Sequence, residues 1–254
     1  MRLGVVLSTG GLRGAAHLGV LKRLIAARLP VDVLVGSSVG AVLGAYYAAV
    51  GLSIDEIIAD APRISAKEFF WHSLQYPAPE WARAGLRARS GIVPERLEAL
   101  DRAGFDRLHH GISIFGVVCH DLESRRPLYI STADTHDLPL GAVVRASAAI
   151  RVIYPAWSGE TRGRRVRLVD GGYSDTLPVG FARRLGATHL IISDCRRGID
   201  PRQDDDATMW VRPKLRGLGI IRAVSFSLND AIRAGEESVT DAMIERARAW
   251  KPRA

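Results

Sequence analysis

The sequence predicts an α/β fold, with a mainly parallel central sheet covered by helices on both faces, in a single domain over residues 1–254. Three observations carry this. The first third alternates short β-rich runs with helical patterns. Runs such as VDVLVGS and THLIISDC are apolar along their length, as expected of strands buried on both faces. Hydrophobic residues make up 47% of the 254 residues against 24% charged, enough for a sizeable core.

Taken in order, LGVVLS is the first strand. After a glycine pair, AAHLGVLKRLIAARL places Leu18, Leu21, Leu24 and Ile25 at helical spacing. VDVLVGS is the second strand, and VGAVLGAYYAAVG a second helix closed by Gly51. Ser53 then caps SIDEIIAD, with Glu56 at the capping-box position. GISIFGVVC and RPLYIS read as strands, LPLGAVVRASAAI as a helix, RVRLVDGG as a strand, PVGFARRLG as a helix and THLIISDC as a strand. A polar loop follows around RRGIDPRQDDDAT, and residues from about 214 to 250 read as one or two amphipathic helices. No repeat or linker interrupts the chain. Residues 66–90 break the rhythm, with Phe69, Phe70, Trp71, Tyr76 and Trp81 among arginines. Such a segment seats at a lipid interface or roofs a pocket, or else is a helical insert packed on the sheet edge.

The net charge of +8 and the pI near 10.0 suit a phosphate-bearing partner, either nucleic acid or an anionic membrane surface. No Lys/Arg block is dense enough to choose between them, and a soluble protein that is simply rich in arginine fits the same charge. The opening MRLGVVLSTGG has too short an apolar run for a signal peptide, and no stretch of about twenty apolar residues occurs. Cys119 and Cys195 lie in β-like segments and match no metal or redox motif. The expectation is a cytoplasmic protein with free thiols, no metal and no cofactor.

Three short stretches bear on chemistry. Gly36-Ser37-Ser38-Val39-Gly40 is a G-x-S-x-G pattern between a strand and a helix, either a tight turn that needs small residues for packing or the spacing of a nucleophile elbow. Side chains at Gly36 and Gly40 would crowd the sharp turn, and the helix start aims N–H groups at Ser38. The loop Thr9-Gly10-Gly11-Leu12-Arg13-Gly14 follows the first strand and offers backbone N–H donors for an oxyanion. Arg13 opposes the dipole of the helix it opens, which fits a bound anion such as a substrate phosphate, or a solvated side chain. Asp170-Gly171-Gly172 ends a later strand, where an aspartate can take a serine proton directly, although D-G-G is also an ordinary turn. No histidine is spaced as a base. The last, His189, lies in an apolar run, and the other six come earlier.

STGGLRGAAHLGVLKRL, GSSVGAVLGA and LVDGGYSDTLPV together resemble the patatin-like phospholipase family, and RASAAIRVIYPAW resembles the segment preceding its D-G-G strand. The resemblance covers about residues 3–195 in the right order. It implies a three-layer patatin-like fold and a Ser-Asp dyad acting on lipid acyl esters without a histidine. By motif match, Ser38 is the nucleophile and Asp170 the base. Gly10, Gly11, Leu12 and Arg13 form the oxyanion hole, Gly36 and Gly40 belong to the elbow, and Gly171 and Gly172 complete the acid motif. Arg151 replaces a common proline, and Ser174 and Asp175 stand where asparagines are common. The expected partner is a lipid substrate, met by transient docking at a membrane surface, with no nucleic acid. Acyl transfer to an acceptor other than water, a non-catalytic lipid-binding module and, more distantly, nucleotide binding are the other readings. The last lacks both G-x-G-x-x-G spacing and a Walker lysine.

Overall fold

Strands β1 (Leu3–Leu7), β2 (Val31–Ser37) and β3 (Ile114–Asp121) run parallel in adjacent positions, and β7 (His189–Ser193) and β8 (Thr208–Val211) extend the parallel set beyond β1. The computed structural model describes residues 1–63, 68, 71–72, 74–75, 78–134, 137–151, 154–198, 200–215 and 228–250. Phe69, Phe70 and Tyr76 of the aromatic segment, and residues 216–227 of the predicted C-terminal helices, lie outside these. Strands β4 (Arg126–Ser131), β5 (Trp157–Thr161) and β6 (Arg164–Asp170) complete an eight-stranded sheet in the order β5-β6-β3-β2-β1-β7-β8, with β4 also on β3. The sheet is therefore mostly parallel, with β4, β5 and β6 antiparallel to their neighbours.

The arrangement around β3 is the part that positions the site. β4 pairs with Gly116–Asp121 along one side of β3. The other side is shared: β2 pairs with Ile114–Val118, and β6 pairs with Cys119–Asp121 from the opposite direction. β2 and β6 therefore lie end to end along the same side of β3. Their C-terminal residues, Ser37 and Asp170, are held opposite the consecutive residues Val118 and Cys119.

Nine helices have both ends among the described residues. α1 (Ala16–Ala26) follows a 3-10 turn at Gly11–Ala15, and α2 (Val39–Ala45) continues as a π turn over Tyr46–Val50 until Gly51, at φ +86°, ends it. α3 (Ile54–Asp60) begins with the expected capping box, in which Ser53 Oγ accepts from Glu56 N–H and Glu56 accepts from Ser53 N–H. α4 (Glu80–Arg89), α5 (Val93–Arg102), α6 (Leu140–Ser147), α7 (Val179–Arg184), α8 (Leu228–Glu237) and α9 (Asp241–Ala249) follow. Side chains of α1, α2, α6, α8 and α9 share one apolar cluster with Leu7, Leu34, Phe115 and Leu168. On the other face, Phe181 and Ala182 of α7 cover Val6, Val35, Val118 and Ile192. That gives helix, sheet and helix layers of very unequal thickness.

Three elements go beyond what the sequence predicts. β5 is Gly- and Ser-containing with no clean alternation, and β8 is a four-residue buried strand directly after an acidic run. α5 carries a proline in its first turn, a start signal, with Leu97 and Leu100 at helical spacing. Within residues 66–90, α4 has no buried residue, and Trp81 at its start is 86% exposed. This helix is thus not packed on the sheet edge. Ser53→Ala removes an N-cap oxygen and should cost about 1 kcal/mol, read as a lowered Tm with little change in shape of the circular dichroism spectrum.

Candidate active site

The chain leaves β2 at Ser37 and turns immediately into α2. Ser38 carries the turn with φ +57° and ψ −127°, a conformation an L-residue adopts only at a cost of roughly 1–3 kcal/mol. The turn closes because residues 36 and 40 are glycines. A Cβ at Gly36 would collide with the Gly40 carbonyl, and one at Gly40 would lie 2.5 Å from the Leu7 carbonyl oxygen. The strained serine is held from behind by Ser147, near the end of α6. Its hydroxyl accepts from Ser38 N–H at 3.0 Å and donates to the Val118 carbonyl at 2.6 Å.

Across the gap, Ser38 Oγ donates to Asp170 Oδ2 at 2.6 Å. The other carboxylate oxygen, Oδ1, accepts from Gly172 N–H at 2.7 Å, which fixes the carboxylate plane. The Asp170 N–H is bonded to the Ala149 carbonyl, tying β6 to the segment after α6. Burial raises the Asp170 carboxyl above its ordinary range, against the opposing pull of the Ser38 and Gly172 hydrogen bonds. The sequence places this aspartate at the C-terminal edge of the sheet, and it is there. It arrives, however, on a strand running against β1, β2 and β3, descending from beyond the edge.

The third stretch converges on the same place. A Cβ at Gly14 would collide with Val39 Cγ1, and one at Gly172 would lie 3.1 Å from Thr9 Cγ2, so residues 9–14 lie against both the elbow and the acid motif. Gly10 caps the 3-10 turn, and Gly11, at φ +54°, opens it. Gly10, Gly11 and Leu12 precede its first hydrogen bond, so their N–H groups have no acceptor within the turn. Arg13 differs from the expectation at both ends. Its N–H donates to the Gly10 carbonyl at 3.1 Å. Its guanidinium donates to the carbonyls of Cys195 (2.8 Å), Leu215 (2.8 Å) and Arg196 (3.1 Å). The half-buried side chain is held by backbone carbonyls and clamps the chain after β7 beside the loop.

Beneath this loop lies a polar network that the sequence does not announce. His17, fully buried, donates from Nε2 to the Ser8 carbonyl at 2.9 Å, which makes Nδ1 the acceptor for the Ser193 hydroxyl at 2.7 Å. Ser8 Oγ accepts from Cys195 N–H at 2.9 Å and donates to the Thr9 carbonyl at 2.7 Å. Burial draws the His17 pKa down to about 4 and pushes the Cys195 thiol up to about 12, so both are neutral groups at pH 7. Both cysteines are free and buried. His189 lies elsewhere. It starts β7 opposite Leu3, roughly 13 Å along the strand from the edge that carries Ser38, with its ring tilted against Trp250.

At the rim, Ser174 Oγ and His120 Nδ1 share a hydrogen bond of 2.5 Å, and Tyr173, 51% exposed, lies under the Arg151 guanidinium at 5.9 Å. Asp175 turns inward to accept from Tyr129 OH and Leu177 N–H. Among the described residues no group of three or more His, Cys, Asp or Glu could hold a metal ion, and no helix is long and apolar enough to cross a membrane.

The profile of the family described as patatin-like phospholipase matches residues 5–183, which contain all three convergent stretches. The chain belongs to this family. Among curated relatives, "Neuropathy target esterase sws" of Drosophila melanogaster is 29% identical over 82% of this chain, and "Lysophospholipase nte1" of Aspergillus fumigatus is 30% identical over 76%. "Patatin-like phospholipase domain-containing protein 6" of Homo sapiens is 28% identical over 76%. The matched region spans only 12–14% of the length of these relatives. Among solved structures, VipD from Legionella pneumophila shares the fold at a TM-score of 0.54 and 14% identity, covering 98% of this chain and 67% of that one.

The buried neutral His17 makes stability pH-dependent. The unfolded chain takes up its proton near pH 6.5, and the folded protein only near pH 4, so this contribution is intact above pH 6.5 and lost as pH falls towards 4. The loss amounts to on the order of 3 kcal/mol. Chemical denaturation at pH 7 and pH 4.5 should show a steep fall for the wild type and a shallower one for His17→Gln.

Proposed function

We propose that the protein is a serine hydrolase of lipid acyl esters, of the phospholipase or lysophospholipase type, working through a Ser38–Asp170 dyad and an acyl-enzyme. The reading rests above all on the 2.6 Å hydrogen bond from a serine at positive φ to a buried carboxylate of raised pKa. Family membership and relatives named as esterase and lysophospholipase support the substrate class.

In this mechanism Asp170 removes the Ser38 hydroxyl proton as Oγ bonds to the ester carbonyl carbon. The oxygen that gains charge is met by the N–H groups of Gly10, Gly11 and Leu12, each donor being worth about 3 kcal/mol in the transition state. Arg13 does not join them, because its N–H is engaged with Gly10. The start of α2 adds its dipole to the same charge. Collapse of the tetrahedral species breaks the bond to the leaving alcohol, which takes the proton from Asp170. Water then attacks the acyl-enzyme, again giving its proton to Asp170, and the fatty acid leaves as Ser38 is restored. A raised aspartate pKa suits both roles, since it narrows the gap between base and serine. The lipid is reached by transient docking at a membrane surface.

Intact mass after treatment with a fluorophosphonate tests the dyad. One adduct is expected on the wild type, none on Ser38→Ala, slow labelling on Asp170→Asn, and wild-type labelling on His189→Ala. Loss of labelling in a folded His189→Ala variant would replace the dyad with a histidine-based triad.

The pH profile is a second check. Asp170 acts only when ionised, so kcat/KM should fall tenfold per unit below its pKa, with the limb above the ordinary aspartate value of about 4. The same raised pKa means that the folded protein holds this proton more tightly than the unfolded chain. Ionised Asp170 therefore costs stability at neutral pH, and Asp170→Asn should raise the Tm while removing activity.

A further inference from the structure

The β5–β6 hairpin projects past the edge of the sheet on which Ser38 and Asp170 meet. Only Leu168, Val169 and Asp170 of β6 pair with β3, so Arg164–Arg167 continue beyond Asp121, where β3 ends. The hairpin turns through Arg162 and Gly163, at φ +51° and +69°, a geometry that joins two twisted strands tightly.

This projection is rich in arginine. Arg162, Arg164, Arg165 and Arg167 are exposed on it; the adjoining turn between β3 and β4 adds exposed Arg125, and exposed Arg126 starts β4. Carboxylates beside them include Asp121, Glu123, Asp137 and Glu160. Arg164 pairs with Asp121 at 3.2 Å and Arg167 with Glu123 at 3.8 Å, each arginine still about half exposed. Asp137 accepts from the Arg162 backbone N–H, and Glu160 lies opposite Arg165 in the ladder. Among the described residues, no carboxylate is within ion-pair distance of Arg125, Arg126, Arg162 or Arg165.

Protection of a sheet edge explains only part of the pattern: beyond Asp121 the β3 side of β6 carries no paired strand, and Arg126 starts β4, which pairs with β3 alone. The terminal strand β5 itself carries only Glu160 as a charged side chain, and Arg125 and Arg162 lie in turns rather than on any strand edge. At the mouth of the site, just after the Asp170 end of β6, exposed Tyr173 carries Arg151 over its ring. An aromatic ring with a polar tip next to a cation fits the depth of lipid headgroups better than a nucleic-acid groove.

We propose that the β5–β6 hairpin and the β3–β4 turn dock the protein on an anionic lipid surface, with the Ser38 side of the sheet facing the membrane. The inference rests on the acyl-hydrolase reading for its orientation. Docking is read as vesicle binding, which Ser38→Ala should retain without turnover.

Co-sedimentation with vesicles of equimolar phosphatidylcholine and phosphatidylglycerol is compared with pure phosphatidylcholine, for the wild type, Arg162→Gln/Arg165→Gln, Trp81→Ala and Ser38→Ala. The wild type and Ser38→Ala should bind the anionic vesicles preferentially, with an affinity that falls as salt is raised. The double variant should bind about 30-fold more weakly while hydrolysing a water-soluble aryl ester at the wild-type rate. Wild-type binding by the double variant, or loss only in Trp81→Ala, would move docking to α4 and overturn the assignment. So would a wild type indifferent to phosphatidylglycerol. Equal affinity for a single-stranded RNA would make the hairpin a general polyanion surface, against the lipid assignment. A failed serine mechanism would instead show as no fluorophosphonate adduct, with vesicle binding unaltered.

Discussion

Everything at the site depends on two strands sharing one side of β3. β2 takes Ile114–Val118 and β6 takes Cys119–Asp121 from the other direction, so their C-terminal ends meet head-on. Neither strand can extend without displacing the other. The chain must therefore leave β2 sharply at Ser38, and Asp170 must finish β6 against it. Ser147 adds a second attachment to the same strand, joining the Val118 carbonyl to the Ser38 backbone through one hydroxyl. The serine, its acceptor and its support are thus referred to consecutive residues of a single buried strand.

This arrangement works against local stability in several places at once. Ser38 sits at positive φ, Asp170 is a carboxylate with part of its solvation removed, and Ser37 Oγ is buried without a hydrogen-bond partner among the described residues. Each is unfavourable alone by an amount comparable to a single hydrogen bond. They persist because the surrounding layers are over-determined, with Val118, Cys119 and Leu168 fully buried. Below the glycine loop the opposite strategy holds. His17, Ser8, Ser193 and Cys195 satisfy one another while staying neutral, so the loop rests on a network that carries no buried charge.

Charge is distributed differently again. Arg13, which looks in sequence like a substrate contact, is consumed by backbone carbonyls of the chain after β7. Arginines that look unremarkable in sequence, such as Arg162 and Arg165, are the ones left facing solvent on the same side of the sheet as the site. A guanidinium next to a glycine loop is no guide to where an anion binds, because three carbonyls satisfy it equally well.

The sequence by itself determined the strand–helix alternation, the capping box at Ser53, and the three stretches around Gly10, Ser38 and Asp170. These are encoded locally, in apolar periodicity and in glycines whose neighbours leave no room for a side chain. It also carried the family, because those stretches are specific in combination. Only the tertiary structure decided that β6 runs antiparallel and meets β2 end to end, since strand direction depends on which edge of β3 is free. It alone revealed His17, Ser147 and Ser193 as supports, because a buried polar side chain is recognised by partners distant in sequence. Ser147 reaches Ser38 across 109 positions and His17 reaches Ser193 across 176. Local pattern fixes which residues are presented at the end of a strand; long-range pairing fixes what they face.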